Sequence, residues 1–477
     1  MTNISHTQVY LRRLVLVLLT FFSTLFIGLS LFGSANLPQS PTLLDLSQTD
    51  LMLQAAEAEP QFGLIGILRP LLLPSEPEAA YKEALGSYLK LQGRADDPTR
   101  AQLDLRIGIL QILLGQPTEA EIVWLEAKER SPQTDIIKTA ETLISLWHGV
   151  VVDQAELTLM QNLDRWSRSY ALERLYQLQG NSIDQAKILA KRQTEQQQAL
   201  FKLAIATAVP IGGSIIGALV WLALILQRLF WPEQSILSWQ PQPPLELVVA
   251  PDRIWQAMVL WFSSYVVMSS LLPWFLSASR WLQLKLQLDG AVYQALFGVF
   301  LSYCLTMVPM VPIVRFHFPE AWQCRLKSWR WVAWGLGGYL AAVPLVLISS
   351  GLSEKIWQGN GGSNPLLPIL TEGDSLVAKL IFWLTLAVAA PLFEEYLFRG
   401  FLLTSLKPLM PIAGAILLSA FGFALVHLNL GDLIPLTTLG VVLGFVYHKS
   451  GNLLAPILIH CLWNSGSLIS ILAIAQI

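Results

Sequence analysis

Apolar runs long enough to cross a bilayer dominate this chain and decide what it can fold into. A hydrocarbon core about 30 Å thick takes about 20 residues of helix. Runs of this kind cover residues 14–33, 203–226, 254–279, 291–314 and 331–353. Past a loop around residues 359–365 they crowd together, at 376–400, 409–428, 432–447 and 452–475, the eighth of the nine being the shortest. In lipid every backbone N–H and C=O has to be satisfied within the segment, so such runs predict helices. The expected fold is all-α, a polytopic bundle of about eight to nine transmembrane helices.

Charge is distributed very unevenly along the chain. Residues 34–202 hold 16 Lys/Arg and 22 Asp/Glu, out of 31 and 33 in all. That asymmetry marks a water-exposed insert after the first span. Within it, residues 79–85 and 103–113 carry apolar side chains at helical spacing. Two segments, Leu114-Gly115-Gln116-Pro117-Thr118-Glu119-Ala120 and Leu178-Gln179-Gly180-Asn181-Ser182-Ile183-Asp184-Gln185-Ala186, look alike. Their glycines are spaced close to twice the roughly 33–34-residue period of helix-pair repeats. The insert therefore reads as a soluble helical domain, weakly tetratricopeptide-like, without the full repeat signature. The predicted organisation is an N-terminal anchor at 1–35, an exported helical domain at 36–202, upstream spans at 203–353, and a membrane core at 376–475.

Orientation follows from the short loops. With a cytoplasmic N-terminus and alternating spans, the inside carries Arg12, Arg13, Arg228, Arg253, Arg315, Arg325, Lys327, Arg330, Arg399, Lys407 and Lys449. The outside carries only Arg280, Lys285, Lys355 and Lys379, in keeping with the positive-inside rule. Residues 36–202 are then non-cytoplasmic in a multi-pass integral membrane protein. The alternative for the first run is a secretory signal ending at the small residues Gly33-Ser34-Ala35; it too exports the insert.

Composition narrows the function. Charged residues make up 13% and hydrophobic ones 53%, where soluble domains carry roughly a quarter charged residues. The net charge of −2 supplies no basic field, which excludes nucleic acid as a main partner. Three cysteines (Cys304, Cys324, Cys461) cannot build a disulfide framework.

The chemistry-bearing residues cluster late. Pro391-Leu392-Phe393-Glu394-Glu395-Tyr396-Leu397-Phe398-Arg399-Gly400 puts three ionisable groups on an apolar span, where each central charge costs roughly 2.5–3.5 kcal/mol. Glu395 and Arg399 are spaced i, i+4 on one helix face, with the acid first, the better order for a pair. Glu394 is rotated about 100° away and has no partner at i±3 or i±4. Phe423-x-x-x-His427 ends the seventh run, and His460-x-x-x-Asn464 puts two polar groups on one face of the last. A carboxylate of raised pKa suits general-base work, and His and Asn can donate to an oxyanion. The same Glu394, His427 and His460 are also candidate ligands for a divalent metal such as zinc. The zincin pattern His-Glu-x-x-His is absent from the sequence.

Glu-Glu-x-x-x-Arg, Phe-x-x-x-His and His-x-x-x-Asn on consecutive spans resemble the CAAX protease and bacteriocin-processing enzyme (CPBP) family, which includes the type II prenyl-protein endopeptidases. The resemblance implies a membrane-embedded endopeptidase acting on a peptide or protein substrate, prenylated or membrane-anchored. It implies that Glu394 activates water with help from His427, that Glu395 and Arg399 hold the geometry, and that His460 and Asn464 stabilise the oxyanion. Family members are described as metalloenzymes and as metal-free glutamate proteases, so the metal stays open. Residues 36–202 fall outside the family pattern and are expected to engage a protein partner. The alternative is a non-catalytic membrane scaffold or a bacteriocin-immunity-type protein. A proton-linked transporter is a third reading, which the lack of internal repeats disfavours. One tension is built into these spans: straight helices would put Glu394 and His427 at opposite faces of the membrane. A shared site predicts a broken or re-entrant segment between residues 401 and 422, where Pro408 and Pro411 permit one.

Overall fold

The computed structural model describes residues 6–37, 42–59, 69, 70, 72–74, 76–93, 95, 97–238, 249–271, 300, 304, 305, 307–318, 324, 329–362 and 376–475. Every regular element among them is helical. They form α1 (His6–Ser34), then α2 (Thr42–Glu57), α3 (Pro77–Gln92), α4 (Asp97–Leu113), α5 (Pro117–Arg130), α6 (Thr134–Trp147), α7 (Ala155–Asn162), α8 (Arg165–Gln179) and α9 (Ser182–Thr207). After these come α10 (Gly213–Phe230), α11 (Pro251–Ser270), α12 (Met310–His317), α13 (Arg330–Trp357), α14 (Lys379–Leu406), α15 (Ile412–Leu425), α16 (Leu430–Ser450) and α17 (Leu454–Ala475). The chain divides into two units, Thr42–Ala208 with Ser470–Ile477, and Met1–Pro41 with Val209–Ile469.

The first unit is built from helices that stop and restart on turn chemistry. Gly115 and Gly180 both lie in the left-handed region, at φ +74° and +66°. After each, the next amide bonds back into the ended helix, Gln116 N to Gln111 O and Asn181 N to Tyr176 O. Pro117 then opens α5, and Asn181 caps α9 by accepting from the Asp184 amide. The likeness between the two segments is thus shared helix-end chemistry. The core holds Trp124, whose indole N–H donates to Leu105 O at 3.2 Å across Gly108. A Cβ on Gly108 would lie 2.2 Å from that ring, which explains a glycine in mid-helix. Glu57 ties α2 to α3, α8 and α9 by accepting from the Tyr81 and Tyr170 hydroxyls and the Gln196 amide, at 2.8, 2.6 and 2.7 Å.

Among the described residues six helices are long and apolar enough to cross a membrane: Tyr10–Ser34, Pro210–Phe230, Arg330–Trp357, Lys379–Leu406, Leu430–Ser450 and Leu454–Ile474. Candidate runs 254–279 and 291–314 lie in part outside the described residues, as do the end of the 359–365 loop and the loop charges Arg280, Lys285, Arg325 and Lys327. The run at 432–447 is a full-length helix, started by Asn429, which accepts from Gly431 N, and ended at Gly451.

Two boundaries differ from the sequence reading, and both bear on the site. The sixth span does not end near residue 400 but continues to Leu406, because Arg399 is neutralised inside the protein and leaves no charge for water to claim. The seventh run folds as only 14 residues of helix, α15, bounded by Pro411 and by the turn after Leu425. At 1.5 Å per residue it is about 21 Å long, short of a 30 Å core. It packs antiparallel to α16: a Cβ on Gly440 would meet Ala420 Cβ at 2.8 Å, and one on Gly444 would meet Ile416 at 3.1 Å. Small residues let these backbones approach closely.

Candidate functional site

Glu394 and Glu395 close a short α-helical stretch between two π-helical ones, Leu384–Ala389 and Tyr396–Leu403. Such π turns widen a helix locally and recur where side chains must be re-aimed. Because α14 runs on to Leu406, the two carboxylates sit near its middle rather than at a membrane face. The Ser419 hydroxyl donates to the Phe398 carbonyl at 2.7 Å, which sets the register of α15 against α14. Phe423, one turn beyond Ser419, packs on both His427 and His460, which brings His427 to the neighbourhood of the carboxylates that His460 contacts. The short α15 is what removes the conflict between straight spans.

The pair expected from i, i+4 spacing is formed. Arg399 Nη1 donates to Glu395 Oε1 at 2.8 Å, and both residues are fully buried. Arg399 Nη2 donates to the Gly440 carbonyl at 3.1 Å, and its guanidinium carbon lies 4.7 Å from the Phe423 ring centre. Glu395 Oε1 also meets His460 Nδ1 at 2.9 Å. The other ring nitrogen, Nε2, is 3.8 Å from Glu394 Oε2. His460 therefore bridges the two carboxylates, a contact that helical spacing around Glu394 does not reveal. Glu395 Oε2 and Arg399 Nε are buried with no hydrogen-bond partner.

His427 and Asn464 make their bonds to backbone carbonyls. His427 Nδ1 donates to the Phe423 carbonyl at 2.9 Å, which leaves Nε2 as the acceptor in the neutral ring. The Phe423 ring makes edge contacts with both His427 and His460, with centroids at 5.0 and 5.5 Å. Asn464 Nδ2 donates to Leu386 O at 2.8 Å, in the first π-helical stretch, and the neighbouring Ser465 hydroxyl accepts from Trp383 at 3.0 Å.

Residues 376–466 match the family model described as type II CAAX prenyl endopeptidase Rce1-like. That match supports the resemblance of this segment to the CPBP family. All six residues singled out by the motifs fall within the segment. No curated protein and no solved structure matches the chain.

A metal in the Rce1-like domain would need its His and carboxylate donors to converge on one point. Among the described residues no group of three or more His, Cys, Asp or Glu is arranged to hold one. Glu394 and His460 approach each other, His460 Nδ1 is engaged by Glu395, and the Phe423 ring packs against both His427 and His460. The candidate ligands thus do not close on one point. Sequence reasoning missed Phe423 as a packing hub, Ser419 as the register bond and Gly440 as an acceptor. Phe423 alone carried a signal, its i, i+4 relation to His427.

Proposed function

We propose that the Rce1-like domain hydrolyses a peptide bond of a membrane-associated or lipidated substrate, with Glu394 as general base. The observation that carries this reading is a second, only partly buried carboxylate, its side chain 13% exposed, beside a fully buried Glu395–Arg399 pair at mid-span. The neutralised pair holds one acid in place, and Glu394, the more accessible of the two carboxylates, is assigned the proton transfer. The orphaned Glu395 Oε2 next to it makes the spot polar enough to hold a water.

In this mechanism Glu394 takes a proton from water as its oxygen adds to the peptide carbonyl carbon. His427 Nε2 assists by accepting a hydrogen bond from the same water. The tetrahedral oxyanion is stabilised by Asn464, whose amide exchanges its bond to Leu386 O for the substrate, and by His460 in its doubly protonated form, with Nδ1–H on Glu395 and Nε2–H on the oxyanion. The proton on Glu394 then passes to the amine nitrogen as the C–N bond breaks. Glu395 and Arg399 keep His460 oriented throughout.

The test compares purified wild type with Glu394→Gln in nanodiscs, on a peptide library that includes prenylated C-terminal peptides. Cleavage by the variant is expected to fall about 10²–10⁴-fold. The mechanism as drawn uses only the chain's own groups, so cleavage is expected to survive chelator. Equal cleavage by both proteins would remove Glu394 from the mechanism. No cleavage by either, with helicity intact, would favour the scaffold reading.

A further inference from the structure

We propose that the groove between α1, α11 and α12 is a binding site for one anionic phospholipid. It is a cavity of about 880 Å³, within the roughly 300–1,000 Å³ typical of small-molecule sites. Its walls are Val15 and Leu16 of α1, Leu260 of α11, and Ile313 and Phe316 of α12. Phe316 is 82% exposed, and only 6% of the apolar window of α1 is buried. The groove is therefore flanked by a surface that lipid tails would bathe.

Its polar groups are Arg12, Gln256 and His317. Arg12 sits at the start of the apolar span Tyr10–Ser34, the level of lipid headgroups, and is followed by a second exposed arginine, Arg13. His317 is buried and donates from Nδ1 to Ile313 O at 2.7 Å. Among the described residues lining the groove none is acidic. An amphiphile fits this pattern, its phosphate on Arg12 and an acyl chain along Val15, Leu260 and Phe316. Basic pockets between membrane helices select anionic headgroups in this way. A zwitterionic lipid would bring an ammonium group for which the groove supplies no carboxylate.

All these residues lie outside the Rce1-like domain, so the proposal and the proposed hydrolysis fail independently. The test is native mass spectrometry of the full chain in detergent, titrated with phosphatidylglycerol and, separately, phosphatidylcholine. Wild type is expected to retain one phosphatidylglycerol in preference to phosphatidylcholine. Arg12→Gln should lower that retention about fivefold, and Val15→Trp should lower it by filling the groove. Arg228→Gln, at the exposed end of α10, should leave it unchanged. Equal retention of the two lipids by wild type would overturn the proposal. So would a folded Arg12→Gln or Val15→Trp protein that keeps phosphatidylglycerol as wild type does.

Discussion

Arg399 has three neighbours that hold its charge in an apolar interior: Glu395, the Gly440 carbonyl and the face of Phe423. Removing one partner of such a pair leaves the other charge buried alone, which costs about 3–5 kcal/mol. Arg399→Met is expected to destabilise the second unit by that amount, measured by reversible unfolding in bicelles. Glu395→Gln in the same chain should recover part of the loss, because no charge is then stranded. A double variant as unstable as the sum of the two singles would show that the pair is not coupled. The pairing itself was legible from i, i+4 spacing. The His460 bridge was not, because His460 lies 65 residues from Glu395 in the chain and no local periodicity relates them.

The helices α14, α15 and α16 position the site through their lengths and their glycines. Apolar character alone sets where a run can enter lipid, and it placed the end of α14 too early, near residue 400. A shared site calls for a broken or re-entrant segment between residues 401 and 422; the structure has a turn at residues 407–410 that joins α14 to the short α15. Gly440 lets α16 approach the Ala420 backbone, whose Cα would lie 2.9 Å from an added Cβ. Backbone cannot move aside as a flexible side chain can. Gly440→Ala is therefore expected to destabilise the unit by about 1–3 kcal/mol, and to weaken the bond from Arg399 to its carbonyl. Thermal unfolding checks the first effect, and unchanged stability would mean that α15 and α16 separate freely.

At the scale of the whole molecule, each unit has its own stabilising logic. The first unit buries polar groups in pairs, among them Asp50 with the Tyr88 hydroxyl and, at 3.5 Å, Arg106. Burial raises the Asp50 carboxyl above its ordinary 3.8, and Arg106 offsets only part of that. Between 3.8 and the raised value the folded unit holds a proton that the unfolded chain has released. Stability from this group is thus greatest at the acid end and falls as pH rises through the window. Asp50→Asn is expected to flatten that slope, read from proteolysis-coupled unfolding of full-length protein between about pH 4 and pH 7. An unchanged slope would assign the pH dependence to other groups.

The sequence by itself determined that this is an all-helical chain with several membrane-spanning segments, because an apolar run leaves the backbone no other way to satisfy its hydrogen bonds. It also put Glu395 with Arg399, and His460 with Asn464, on shared helix faces, since side chains four apart on a helix are neighbours. Tertiary structure decided which of them meet. His460 spans both carboxylates, Phe423 packs against both histidines, and Asn464 turns to the Leu386 carbonyl. Those contacts depend on how far α14 runs, how short α15 is, and how closely Gly440 lets α16 approach. All three are set by packing between segments distant in sequence, which local periodicity does not encode.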